Sequence, residues 1–171
     1  MPGQLAQRNR EIIQTSKVAM SIRKALPTDN SGAKAVVQKS LASFGLIADF
    51  ATLDAAIGAL GLANTPNDIE LVAEVDGTLV GCLAIQRMDE SVAKLFGFHV
   101  DASMQGQGIG RTLLSEAIAQ AVIHKFTHLK LETWGNMGAA VHLYESLGWV
   151  RGPDPLPESG ADRFYCLALS R

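Results

Sequence analysis

A chain of 171 residues, 47 % hydrophobic and 19 % charged, is long enough for one domain with a real core and too short for two ordinary ones. Its formal net charge of -2 supplies no basic field of the kind that gathers nucleic-acid phosphates, so no nucleic-acid partner is expected. No apolar run approaches the roughly 18 residues a membrane helix needs, and Met1 to Lys17 is polar and basic where a secretory leader would be apolar; no membrane partner is expected and a cytoplasmic location is the default.

Residues 1–17 show neither strand alternation nor a helical stripe and read as an N-terminal extension, expected to be poorly ordered, ahead of a domain at 18–171. Val18 to Ala25 reads as a strand. After the Pro27-Thr28-Asp29 turn, Ala33, Val36, Val37 and Leu41 mark one face of a helix. The alanine-rich stretch from Ser43 to Asn64 predicts a second short helix between loops. Ile69–Val75 and Thr78–Met88 flank Asp76-Gly77, whose residues accept the positive φ of a tight hairpin turn. Val92 to Val100 is apolar on both faces, as a central strand covered on each side requires.

A helix is predicted from about Gly108 to Lys125, with Ile109, Leu113, Ala117 and Ala121 on its apolar stripe. Leu129 to Thr133 alternates as a short strand, so strand, helix and strand suggest a parallel crossover. Ala140, Leu143, Tyr144 and Leu147 fall on one face of a last helix, which Gly148 is placed to close. Trp149 begins the exit, the loop from Gly152 to Gly160 follows, and Phe164 to Leu169 reads as a closing strand. Cys82 and Cys166 lie far apart in apolar runs, without a CxxC pair or a nearby histidine at metal-ligand spacing, and read as core thiols; no metal is expected.

Chemistry concentrates in the segment QGQGIG, Gln105 to Gly110, between a buried strand and the start of an amphipathic helix. Glycines let backbone N–H groups approach a ligand, and a helix start adds unpaired donors and about half a positive charge, which suits a pyrophosphate. A P-loop would need a lysine where Arg111 follows Gly110, and a dinucleotide fingerprint counted from Gly106 would need a glycine at Arg111. What remains is QxxGxG.

Here the sequence resembles the GNAT superfamily of acetyl-CoA-dependent N-acetyltransferases, whose signature Gln105, Gly108 and Gly110 match, although Ala102 stands where the family often has proline. A second match, LYxxxGW, begins at Leu143, 38 residues after Gln105, and includes Tyr144, Gly148 and Trp149. The resemblance implies an α/β (α+β) fold: a central mixed, mostly antiparallel sheet of six to seven strands flanked by about four helices in a single domain. It implies acetyl-CoA as co-substrate, a small-molecule or peptide amine as acceptor, direct attack within a ternary complex, and admits a homodimer. A CoA-binding sensor or interaction module without transferase activity is the alternative, and a nucleotide-dependent enzyme a third class.

The resemblance also directs attention to particular residues. It places cofactor-binding backbone donors at Phe98, His99 and Val100, on a strand that commonly carries a bulge; Gly97 would tolerate that distortion, or would merely relieve crowding between Phe96 and Phe98. Gly106, Gln107, Ile109, Arg111 and Thr112 would complete the cofactor loop with the three signature residues. Tyr144 is the candidate acid for the leaving thiolate. Glu132 and His99 are the candidate bases, directly or through water, while a free-amine fraction from bulk could also suffice. Asn136 is a cofactor candidate displaced by one, since the family's asparagine position is Met137; capping of the last helix is its other reading. The acceptor pocket is expected between Ser43–Asn67 and Gly152–Gly160, where Asp49 and Asp54 could attract a cationic amine.

Overall fold

The structure, a computed structural model, describes residues 19–170; the expectation for the extension at 1–17 lies outside them. Seven strands form one sheet in the order β1-β2-β3-β4-β5-β7-β6. These are β1 (Met20–Lys24), β2 (Ile69–Val75), β3 (Thr78–Arg87), β4 (Val92–Val100), β5 (His128–Thr133), β6 (Val150–Arg151) and β7 (Arg163–Ala168). The helices are α1 (Asn30–Ala42), the single turn α2 (Ala55–Gly58), α3 (Ile109–Ile123) and α4 (Gly138–Ser146). Every strand pair is antiparallel except β4 with β5, which α3 joins by the parallel crossover expected from the sequence. No helix of the described residues is long and apolar enough to cross a membrane.

Two apolar layers enclose the sheet. On one face α1 and α2 cover Val72, Cys82 and Ala84; on the other α3 and α4 cover Leu71, Leu83, Leu95 and Leu131. The β2–β3 hairpin turns at Asp76 and Gly77, with φ of 50° and 78°, as the Asp-Gly pair dictates. The second helix, expected somewhere in Ser43–Asn64, contracts to the one turn of α2. That segment is held instead by side chains: buried Glu70 accepts from the Gly61 N–H at 2.8 Å and from Asn67 at 3.0 Å, and Asn30 donates to the Leu60 carbonyl at 2.9 Å. β6, two residues long, carries too little pattern to be seen in the sequence.

Two irregularities position the site. In β4 the register against β3 shifts between Cys82↔His99 and Ala84↔Phe96, which leaves one extra residue in β4 at Gly97 and Phe98. Gly97 adopts φ 63°, and a Cβ there would overlap the Ile57 side chain, so only glycine fits. The bulge inverts the strand's alternation: Ala93 and Leu95 face the α3 layer before it, Phe98 and Val100 after it. The second irregularity is the parting of β4 from β5. They pair only at Val92↔His128, Ala93↔Leu129 and Lys94↔Lys130, after which, among the described residues, no strand pairs with that side of β4. A wedge opens between the two strands towards their C-terminal ends.

Candidate active site

The glycine-rich loop leaves β4 through a 3₁₀ turn at Ala102–Met104, which Asp101 caps by accepting from the Ser103 N–H at 2.9 Å. Gly106 and Gly108 then both take φ 80°, and Gly108 is the N-cap of α3. Among the described residues, the N–H groups of Gly106, Gln107, Gly108, Ile109, Gly110 and Arg111 donate to no carbonyl or side chain; the helix ladder begins with Thr112 N–H on the Gly108 carbonyl at 3.0 Å. Six consecutive donors at a helix N-terminus form an anion cradle, and alternating left-handed glycines turn successive amides into it. Gly110 serves another purpose: it lies against Leu143 and Phe98, each 3.4 Å from where a Cβ would stand, so α3 can pack close to β4 and α4.

Two cavities meet at this bulged strand. One, of about 360 Å³, runs from the loop at Gln105, Gly106 and Gly108 past Val100 and Leu143. The other, of about 600 Å³, occupies the wedge between β4 and β5 and is walled by Leu46, Leu53, Asp54 and Trp134. Phe98, His99, Met137 and Ala140 line both, so the two adjoin at these four residues. The large cavity is bounded by the α1–β2 segment and by Ser159 and Gly160, the two stretches expected to build an acceptor pocket. Trp134 pins the second wall, its indole N–H donating to the Gly160 carbonyl at 2.6 Å, while the Gly135 N–H donates to Asp162 at 2.7 Å.

Tyr144 lines the large cavity from α4 and is 4 % exposed. Its ring packs against Phe98, Trp149 and Tyr165 with centroids 5.9, 5.7 and 6.0 Å away, yet among the described residues its hydroxyl makes no hydrogen bond. Burial raises its pKa above the ordinary tyrosine value, so the phenol stays protonated and has a proton to give. α4 ends as the sequence implied: Gly148 has φ 92°, and the Gly148 and Trp149 N–H groups return to the Glu145 and Tyr144 carbonyls at 3.1 Å each.

His99 faces α1, where its Nδ1 lies 2.8 Å from the Ser40 hydroxyl. Burial pushes its pKa down to about 4, so it is neutral at physiological pH and a weak proton acceptor. Glu132 enters the wedge from β5, with Oε2 3.4 Å from Lys94 Nζ. Asp54 also reaches the cavity; burial first, then the neighbouring Asp49, raises its pKa, and it accepts from the Asp49 N–H at 2.7 Å. Asp49 itself is held below the usual carboxylate range by Thr52, Ala51 and Thr52 amides, and lies outside the cavity lining. It shapes the loop.

Other expected site residues stand apart. Asn136 is exposed and borders neither cavity, and the N-cap of α4 is Met137, without a side-chain cap, so the asparagine does not cap that helix. Met137, the position aligned with the asparagine of the resemblance, is buried and lines the junction. The Thr112 hydroxyl donates to the Gly108 carbonyl at 2.8 Å and so turns back on its own helix. The Arg111 guanidinium donates to Ser146 at 2.9 Å, bridging α3 to α4, which leaves its main-chain amide as the group facing the cradle. Gln107 is exposed and contributes a backbone donor only. Cys82 is fully buried and pushed up to about 12 by burial, an inert core thiol, while Cys166 is only partly buried. Sequence reasoning missed Lys94, Met137 and Trp134; Lys94, two residues from the aromatic Phe96 on a strand read as apolar at nearly every position, was the one visible signal.

The sequence profile of the acetyltransferase (GNAT) family matches residues 39–149, which hold both cavities' shared residues and the whole amide cradle. The chain belongs to the GNAT family. Human N-acetylaspartate synthetase is 34 % identical over 85 residues, 49 % of this chain and 28 % of that protein, so the match spans well under a third of the relative. A GNAT-family acetyltransferase structure from Staphylococcus aureus superposes with a TM-score of 0.73 at 18 % identity, covering 89 % of this chain and all of the other. A GNAT-family acetyltransferase from Brucella melitensis, solved with acetyl-CoA, gives a TM-score of 0.66 at 23 % identity over 90 % of each chain. These likenesses establish the GNAT fold, with the splayed β4 and β5 as its opening.

Proposed function

We propose that the protein transfers an acetyl group from acetyl-CoA to a primary amine. The observation that carries this reading is the row of free amides from Gly106 to Arg111, opening onto a cavity that adjoins a second one at the bulged strand. The donor set fits a pyrophosphate, which needs several N–H groups and a positive dipole end and no deprotonatable ligand. Membership of the family and the acetyl-CoA complex of the Brucella neighbour support the same cofactor.

Acetyl-CoA brings an activated thioester; this chain's residues bind, orient and move protons around it. The side of β4 that faces the wedge has no partner strand beyond Lys94, which leaves amides near Phe98 to Val100 to stabilise charge on the carbonyl oxygen. As the amine nitrogen bonds to that carbon and the C–S bond breaks, Tyr144 donates its proton to sulfur. The proton lost by the amine goes to Glu132 or, through water, to bulk; His99, held neutral by burial, shapes the junction. We place the reaction in a ternary complex, since the two cavities adjoin at Phe98, His99, Met137 and Ala140 and no cysteine lines either among the described residues.

Calorimetric titration with CoA, paired with thiol release from acetyl-CoA across a panel of amines, tests this. Micromolar binding competed by neither NAD nor ATP, with thiol released for at least one amine, is expected. Binding without transfer to any acceptor favours a CoA-sensing module, and no binding overturns the reading.

A further inference from the structure

The large cavity holds a cation for which the transfer reaction has no use. Lys94 projects from β4 into the wedge, and its side chain is only 22 % exposed. Its ammonium sits 5.0 Å above the Phe96 ring, and its ion-pair partner among the described residues is Glu132 Oε2 at 3.4 Å. That separation is well beyond the roughly 2.7–2.9 Å of a charge-assisted hydrogen bond. Among the described residues Lys94 Nζ makes no hydrogen bond, and neither oxygen of Glu132 accepts one. A part-buried ammonium is stabilised by filling its three donors, and among the described residues none of the three has a hydrogen-bond partner.

The direction of the side chain adds to this. Lys94 is paired in register with Lys130, and Glu132 lies two residues further along β5, roughly 6.6 Å at 3.3 Å per residue. To stand 3.4 Å from Glu132, Lys94 leans towards the strand ends, the same end as the junction at Phe98 and His99. The wedge therefore presents one positive and one negative group side by side, each with unused hydrogen-bonding capacity, and Asp54 elsewhere on the wall.

We infer that Lys94 and Glu132 together recognise an α-amino carboxylate, so that the acceptor is an amino acid whose carboxylate meets Lys94 while its amino group meets Glu132. This rests on the transferase reading and narrows its acceptor. An amino group and a carboxylate one carbon apart match two opposite charges 3.4 Å apart, whereas a diamine would set its second cation against Lys94. The same contact places the amine on the candidate base.

The test compares acceptors that differ only in the acid. L-Methionine, L-leucine and L-glutamate are each assayed against their 1-amides, with putrescine alongside, and kcat/KM is corrected for the free-amine fraction of each. The wild-type enzyme should favour at least one acid over its amide by about tenfold or more, mainly through KM, as befits a hydrogen bond to a charged group. Lys94→Met should bring that ratio near one, Lys94→Arg should keep it, and Lys24→Met, exposed on β1 and lining neither cavity, should leave it as in the wild type. Amides or putrescine used as well as the acids by the wild type would overturn the inference while leaving the transferase reading intact. Absence of CoA binding by the wild type would remove both, and the wild-type ratio decides the matter even if a Lys94 variant fails to fold.

Discussion

Replacing Tyr144 by phenylalanine removes a single oxygen from the wall of the large cavity and leaves the rest of the residue in place. The ring keeps its three aromatic neighbours, Phe98, Trp149 and Tyr165, at centroid distances of 5.7 to 6.0 Å. Because the hydroxyl has no hydrogen-bond partner among the described residues, its loss strands no buried donor or acceptor, and stability should change by less than about 0.5 kcal/mol. Binding of CoA should also survive, since the amide cradle lies on the other side of the junction. Turnover is where the oxygen matters. A positioned general acid contributes roughly 10² to 10⁴ in rate, so kcat should fall at least about a hundredfold, near 2.7 kcal/mol of barrier. Thiol release at saturating acetyl-CoA and acceptor gives kcat, calorimetry gives the CoA affinity, and urea unfolding gives stability. A variant with wild-type kcat, or one whose loss lies wholly in CoA affinity, would refute the assignment of the phenol to the departing sulfur.

Gly97→Ala must accept both a left-handed φ and an overlap with Ile57, and should cost about 3 kcal/mol or more by chemical denaturation; in an Ile57→Ala background the same change should cost less, and equal costs would show that the overlap is relieved elsewhere. Gly108→Ala meets open space but a φ of 80°, so it should lose about 1–2 kcal/mol of stability and weaken CoA binding several-fold, whereas unaltered binding would mean that this amide does not touch the phosphates. His99 has a folded pKa of about 4 against about 6.5 unfolded, so above 6.5 both states are neutral. As pH falls from 6.5 to 4 the unfolded chain takes the proton first and up to about 3 kcal/mol of stability is lost, with no further loss from this group below 4. His99→Gln should flatten the stability profile across that window, and a slope identical to the wild type would place the acid sensitivity on other groups.

Much of the fold was legible because its signals are local. Asp76-Gly77 dictated a hairpin, Gly148 closed α4 through its backbone bonds, and the stripe from Ile109 to Ala121 marked α3 whatever it packed against. The cradle was legible for the same reason, since glycine's freedom and a helix start are properties of neighbours in sequence. What escaped depended on partners far along the chain. The end of α3 was read at Lys125, but the helix stops at Ile123 and Lys125 itself takes φ 66°, a position normally given to glycine. The Arg111 guanidinium is spent on Ser146, 35 residues away, which leaves its main-chain amide for the cradle. The bulge at Gly97 was anticipated, but not that it would swap the faces of Phe98 and His99, because a parity change is invisible in a strand apolar on both sides. Lys94 escaped for the opposite reason: only the parting of β4 from β5 turns a strand lysine into the lining of a cavity.

The interlock of Ile57 with Gly97 ties the evolution of two regions that sequence alone would treat as independent. α2 belongs to the α1–β2 stretch that walls the large cavity, whereas Gly97 sets the bulge at which the two cavities adjoin. A lineage that remodels the first to admit a different amine must keep a residue at 57 that leaves room beside a bare α-carbon. Change in selectivity is thereby confined to the rest of the segment, where Leu53 and Ile47 line the cavity, stay largely exposed and can be exchanged without disturbing the strand.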